Sequence, residues 1–299
     1  MGYTRLKLDD MDLALGKRVR LHRLLYEFGP GNGTILLLPV DLGLEHGPID
    51  FFPNPQAQDS SFQLGLAREG GYSGIVFHIG LAQKYLPAFA GTVPLVLKIN
   101  GRPNLVPDKY VFSPLDASVE DAVGLGADAV GYTLHVGSPQ QGEDIAQLGK
   151  IRASCDRFGM PLIVWAHPRG EVIDMRGGRE TLYAIDFAAR VAQELGADVI
   201  KINVPDLSAE RSRQSPQPYN ELRLSAEEAV RQVLVSAGRT FVLFSGGAKM
   251  SDTQLLEKAE LAMRAGATGL ILGRNIWQRS RDQALALTAQ IREIMQRPE

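Results

Sequence analysis

The sequence predicts an α/β fold: a closed (β/α)8 TIM barrel, residues 1–299 as a single domain, with an N-terminal extension over residues 1–33. Three observations carry this. Eight short apolar runs of strand length recur along the chain, and helix-like stretches lie between them. A Gly-Ala pair then repeatedly closes a helical stretch just before the next run.

The runs are Ile35–Val40, Gly74–Ile79, Pro94–Ile99, Ala129–Leu134, Pro161–Trp165, Asp198–Ile202, Thr240–Phe244 and Gly269–Leu272. They are near-continuously apolar, the pattern of parallel strands covered on both faces. Between them lie Phe62–Arg68, Ser118–Gly124, Asp144–Arg157, Leu182–Leu195, Ala226–Ser236 and Thr253–Ala265. Ser225-Ala-Glu-Glu228 and Ser251-Asp-Thr-Gln254 have the spacing of a capping box, in which hydroxyl and N3 side chain satisfy each other's backbone N–H groups. The stop signals are Gly126-Ala127, Gly196-Ala197 and Gly266-Ala267. Eight alternating units close a barrel more readily than they extend an open sheet, and no Pro/Ser-rich linker divides them.

Two segments stand outside the repeat. Residues 1–33 are expected to form a helix and a turn that cover the barrel bottom or a neighbouring subunit. Residues 205–224, polar and carrying Pro205, Pro216 and Pro218, follow the sixth run on the side where barrels do chemistry. They suit a lid or a plain surface insertion. The cluster Gly29-Pro-Gly31-Asn-Gly33 precedes a strand instead of joining strand to helix, so it is a turn and not a dinucleotide fingerprint.

Composition narrows the function classes. A hydrophobic fraction of 44% and a net charge of −2 describe a well-cored protein with no electrostatic reason to bind nucleic acid or an anionic membrane. The single Cys155 excludes an intrachain disulfide and a Cys-based zinc cluster, which fits a reducing cytoplasm. No apolar run approaches the ~20 residues of a membrane span, and the start carries no signal-peptide core. Met1-Gly2 does not read as a myristoylation signal, since position 6 is Leu.

The most informative residue is Lys201, inside the run Ala197-Asp-Val-Ile-Lys-Ile-Asn203. An ammonium within a buried strand is expensive, and burial lowers its pKa and frees an amine for Schiff-base chemistry. The ordinary alternative is a strand-end lysine that reaches solvent or pairs with Asp198. Other polar groups also fall at strand ends, where barrels gather function. They are Asp41 with Glu45-His46 after the first run, Lys98 and Arg102 around the third, Trp165, His167 and Arg169 at the fifth. Lys98 is the candidate cation to depress the Lys201 pKa further. After the last two strands come Ser245-Gly246-Gly247-Ala248 and Gly273-Arg274-Asn275. Glycines let backbone N–H groups approach an anion, a helix N-terminus adds dipole, and Arg274 adds charge, so a phosphate is expected there. Asp41, Glu45, His46, His78, His135 and His167 offer metal-ligand atoms, but no HExxH or His-x-His spacing groups them, and neither metal nor cofactor is expected.

Taken together, these motifs resemble the archaeal-type class I fructose-1,6-bisphosphate aldolases, a family of Schiff-base barrels. The resemblance rests on Asp41-Leu-Gly-Leu-Glu-His46-Gly-Pro48, Leu97-Lys98-Ile-Asn-Gly101, Ala129-Val-Gly-Tyr132 and Val164-Trp165-Ala-His167-Pro-Arg169-Gly170. It continues through Ile200-Lys201-Ile202, Ser245-Gly246-Gly247 and Gly269-Leu-Ile-Leu-Gly273-Arg274-Asn275. It implies a reversible, metal-free cleavage of fructose 1,6-bisphosphate with Lys201 as the Schiff-base lysine and Asp41 as an acidic helper. Ser245, Gly246, Gly247, Gly273 and Arg274 would hold a phosphate. Trp165 would line the substrate channel; Lys98, His46 and Arg169 complete the binding set. It also implies a homo-oligomer, often a decamer. Two positions depart from the family pattern. Leu42 replaces the His of Asp-His-Gly, and His167 replaces the proton-transferring Tyr of Trp-x-Tyr-Pro-Arg-Gly. An imidazole of pKa ~6.5 suits acid–base work near neutrality, so His167 inherits that role. The alternative is a related Schiff-base aldolase or transaldolase on another phosphorylated sugar, such as a heptulosonate-precursor synthase or a lyase of phosphorylated signalling sugars.

Overall fold

A computed structural model describes residues 4–105, 107 and 110–297. Eight parallel strands close a barrel in sequence order. They are β1 Ile35–Pro39, β2 Gly74–His78, β3 Leu95–Lys98, β4 Ala129–Val136, β5 Leu162–Pro168, β6 Val199–Asn203, β7 Phe241–Ser245 and β8 Gly269–Ile271. Each overlaps one of the apolar runs, and β8 pairs back onto β1 through Ile35–Gly269 and Leu37–Ile271.

Because side chains alternate along a strand, the residues split between two cores. Leu36, Leu38, Phe77, Val164, Ile200, Ile202 and Phe244 pack outward with the helices. Ile35, Leu37, Val76, Val96, Ile163, Val199, Phe241 and Leu243 share a second cluster inside the barrel. That alternation decides the chemistry of β6: Val199, Lys201 and Asn203 take the inward parity, while Ile200 and Ile202 anchor the strand to its helices. The lysine in the buried strand therefore points down the barrel axis.

The expected helices form, with their caps. Ser225 and Glu228 make both bonds of the capping box before Ala226–Ala237, and Ser251 and Gln254 do so before Asp252–Ala265. Two further helices, Ile79–Tyr85 and Arg281–Gln296, complete the ring after β2 and β8. Neither stretch is among the helices that the sequence pattern predicts.

The N-terminal extension plugs the barrel floor. Helix Leu15–His22 runs on as a π-helical turn over Arg23–Glu27, and Leu21, Leu24 and Leu25 join the inward cluster of the strands. Three polar anchors fix it to strand starts: Arg23 Nε to Asp128 at 2.6 Å, Lys17 Nζ to Asp198 at 2.8 Å, and Arg5 Nε to the Ala267 carbonyl at 2.9 Å. Each anchor point lies beside one of the Gly-Ala stop signals. Asp198 thus pairs at the floor with Lys17, and Lys201 is left to the opposite end. The glycine cluster is a turn, as expected, with Gly29, Gly31 and Gly33 at φ of 71°, 74° and 88°.

Candidate active site

The C-terminal end of the barrel opens into a cavity of about 500 Å3. Asp41, His46, Lys98, Trp165, His167, Arg169, Lys201, Ser245, Gly246, Gly247, Gly273 and Arg274 all line it. Residues singled out along more than two hundred positions of sequence therefore converge on one mouth.

Lys201 lies beside Trp165 on one neighbouring strand and Leu243 on the other. Burial, aided by Arg169 and Lys98 and opposed by Asp41 and Glu45, brings its pKa down to about 8. Desolvation thus outweighs any single charge, and Arg169 contributes more than the expected Lys98. Lys98 is itself almost fully enclosed, at 3% exposure. Its Nζ donates to Thr133 Oγ1 at 2.7 Å and to the Asn100 carbonyl at 3.0 Å, stands 4.0 Å from Asp41 Oδ2, and faces the Trp165 ring at 5.3 Å. Burial also lowers its pKa, against the pull of Asp41, Glu45 and Asp116. Asp41 begins the short helix Leu42–His46, yet its side chain caps no backbone N–H; it faces the lysines instead.

Gly131 makes this arrangement possible. A Cβ there would stand 2.7 Å from Trp165 Cζ3 and 3.0 Å from Lys98 Cδ, so only glycine admits both side chains at once.

His167, on β5, departs from the near-neutral imidazole that the sequence leads one to expect: burial and then Lys201, Arg169, His135 and Lys98 push its pKa well below the usual histidine value. Directly across on β4 stands His135, its ring centroid 6.4 Å away. Ser113 Oγ lies 3.0 Å from His135 Nε2, and burial with the neighbouring arginines brings the His135 pKa down to about 3.

The opposite wall is made by the loops after β7 and β8. Ser245 donates to Asn203 Oδ1 by a short bond, and Gly246 is buried against Asn275. Two expectations are corrected here. The helix after β7 starts only at Asp252, and the one after β8, Arg274–Trp277, is a single turn. The wall therefore presents loop backbone to the cavity, and the expected helix dipole is not there. Arg274 is also partly committed, with Nη1 3.6 Å from Asp50 Oδ1, and Asp50 Oδ2 lies 2.6 Å from His46 Nδ1.

Residues 205–224 contribute nothing to the cavity lining. They pack against the loop after β5: Asp206 N–H donates to the Glu180 carbonyl at 2.7 Å, Arg211 Nη1 pairs with Glu180 Oε2 at 3.0 Å, and Tyr219 donates to Asp186 at 2.7 Å, so the segment borders the cavity rim through Glu180 without itself lining the cavity. The lining also includes Thr133, Ser113, Asn203, Arg179 and Glu180, which the sequence motifs do not single out. Thr133 and Asn203 were accessible by strand parity from Lys201 and Gly131. The other three come from loops whose course no periodicity reveals. Among the described residues, no three His, Cys, Asp or Glu side chains group as metal ligands, and no helix is long and apolar enough to cross a membrane.

Comparison with known proteins agrees with this geometry. Residues 35–279 match the DeoC/LacD family aldolases. A class 1 fructose-bisphosphate aldolase of Thermoproteus tenax is 38% identical over 248 residues, covering 83% of this chain and 84% of its own. The enzyme of the same name from Halobacterium salinarum is 34% identical over 256 residues, covering 85% and 88%. Among solved structures, an archaeal fructose-1,6-bisphosphate aldolase with its catalytic lysine bound to the substrate's carbinolamine intermediate superposes with a TM-score of 0.78 at 35% identity, covering 93% of this chain and 99% of that one. The fructose-bisphosphate aldolase of Slackia heliotrinireducens gives 0.83 at 25% identity, covering 97% and 91%. The chain belongs to the DeoC/LacD aldolase family.

Proposed function

We propose that this protein is a class I aldolase that reversibly cleaves fructose 1,6-bisphosphate to dihydroxyacetone phosphate and glyceraldehyde 3-phosphate through a Schiff base on Lys201. The observation that carries the reading is the Lys201 amine, inward on β6 with its pKa drawn to about 8, in a cavity whose far wall is glycine-rich loop. The named relatives supply the substrate.

Each step has a residue for it. Neutral Lys201 attacks the C2 carbonyl, and loss of water gives an iminium that serves as an electron sink. The C3–C4 bond breaks as His167 accepts the C4 hydroxyl proton, and glyceraldehyde 3-phosphate leaves. His167 returns that proton to C3 of the resulting enamine, and hydrolysis frees dihydroxyacetone phosphate and the amine. Asp41 orients the intermediate and assists dehydration. The cation of Lys98 and the face of Trp165 border the same space. The C1 phosphate sits on Ser245, Gly246, Gly247, Gly273 and Arg274, and its binding energy holds C2 against the amine. Arg169 and His46 contact the remainder of the sugar phosphate. No metal or organic cofactor takes part. The chain is further read as a cytoplasmic homo-oligomer, supported by its lone, buried Cys155 and by the family resemblance.

One observation favours a second reading. His167 stands where the family pattern has tyrosine, so a related Schiff-base aldolase for another phosphorylated sugar would keep Lys201 and differ at the aldehyde end. Turnover of fructose 1,6-bisphosphate, followed by coupled reduction of the triose phosphates with and without chelator, separates the two. Chelator-resistant cleavage supports the proposal. Cleavage abolished by chelator, or none with this substrate, contradicts it.

A further inference from the structure

The loop that forms the anion wall is held from behind by one buried side chain. Asn275 is 1% exposed and lies beneath the loop after β7. Its amide Nδ2 donates to the Ala248 carbonyl at 3.1 Å and to the Gly247 carbonyl at 3.5 Å, while its Oδ1 accepts the Met250 N–H at 2.9 Å. A trans peptide sets the C=O of one residue antiparallel to the N–H of the next. Turning the Gly247 and Ala248 carbonyls down toward Asn275 therefore turns the N–H groups of Ala248 and Lys249 the other way. Among the described residues, neither of these N–H groups, nor that of Gly247, donates to a protein acceptor. Gly247, at φ of 74°, gives the loop the curvature this requires, and Gly247 and Ala248 both line the cavity.

Arg279 locks the same unit. It donates to the Met250 carbonyl at 3.2 Å, to Asp252 Oδ1 at 3.0 Å, and to the backbone carbonyl of Asn275 itself. The clamp thus joins the loop after β7 to the short helix after β8.

We propose that Asn275 is the positioning residue of the phosphate site: by pinning the Gly247 and Ala248 carbonyls inward, it presents a fixed set of backbone N–H donors to the substrate phosphate. The inference rests on the phosphate assignment made above, and it assigns Asn275 no contact with the reacting atoms. Preorganised donors matter because they need not be reoriented when the anion arrives.

The test uses the full-length protein and inorganic phosphate as the probe, so it does not depend on aldol chemistry. Asn275→Asp keeps size and the acceptor for Met250 N–H, but sets a carboxylate oxygen against two carbonyls and flips the loop. Calorimetric titration is expected to show phosphate binding in wild type and a loss on the order of tenfold or more in Asn275→Asp. Arg279→Lys, which keeps a cation by Asp252 and loses the fork, is expected to show a smaller loss and serves where the first variant does not fold. A complementary ratio is the rate of borohydride trapping with dihydroxyacetone phosphate over that with dihydroxyacetone; it should fall in parallel. Phosphate affinity within twofold of wild type in the folded variants overturns the inference, as does a wild type that binds no phosphate. The aldolase reading fails separately, if Lys201 forms no adduct.

Discussion

The depressed pKa of Lys201 makes a quantitative prediction about rate and pH. An amine of pKa about 8 is neutral in about one molecule in eleven at pH 7; an ordinary lysine at 10.5 is neutral in about one in three thousand. Only the neutral form attacks a carbonyl, so kcat/KM rises with pH until the free amine is fully deprotonated. Between pH 7 and pH 9 the neutral fraction grows about tenfold and then levels off if the pKa is about 8. An unperturbed lysine would give a rise of about a hundredfold across the same interval, with no plateau. His167 is already neutral throughout this range and adds no limb of its own. Neighbours shift the half-point in defined directions. Arg169→Gln removes a lowering charge and moves it up, whereas Asp41→Asn removes a raising charge and moves it down. Initial rates of fructose 1,6-bisphosphate cleavage at subsaturating substrate, from pH 6 to 10, read both effects. A half-point near 10, or a half-point indifferent to Arg169→Gln and Asp41→Asn together, refutes the electrostatic account.

Other perturbations test other parts of the structure. His167→Phe removes the proton acceptor for C–C cleavage but not the amine, so steady-state turnover should drop about 10²–10⁴-fold while borohydride still traps dihydroxyacetone phosphate; equal loss of both would mean that His167 serves Schiff-base formation instead. Gly131→Ala puts a Cβ 2.7 Å from Trp165 Cζ3 and should cost about 1–3 kcal/mol in denaturant melts, with a fall in kcat as Trp165 and Lys98 are displaced. Lys17→Met leaves the enclosed Asp198 carboxyl at the barrel floor without the cation that offsets its burial, and chemical denaturation should show a loss of about 3–5 kcal/mol without change in the pH half-point of activity.

The barrel was legible because its periodicity is strong. Apolar runs, capping boxes and Gly-Ala stops agree with one another, and each agrees with β1 to β8. The reactive end was legible because a cation in an apolar strand has few inexpensive explanations, and because Asp41, Lys98 and His167 each fall at or just past the end of a strand. Parity along the strands would have added Thr133 and Asn203. What local pattern does not encode is the pairing of distant polar groups. Asp198, three residues from Lys201, binds Lys17 from the far end of the chain instead. Arg274 shares its charge with Asp50, and Asn275 reaches back to carbonyls 27 and 28 positions away. The wall after β7 and β8 illustrates the difference: its glycines are visible in the sequence, while the bonds from the buried Asn275 amide to the Gly247 and Ala248 carbonyls appear only in three dimensions.

The measurement that bears most directly on the central claim is the intact and peptide mass of the protein after borohydride reduction with dihydroxyacetone phosphate or fructose 1,6-bisphosphate. The account predicts one added triose phosphate on the peptide that carries Lys201, and none in Lys201→Ala. Unmodified wild-type protein with either ligand, or an adduct on Lys98 that persists in Lys201→Ala, would contradict it.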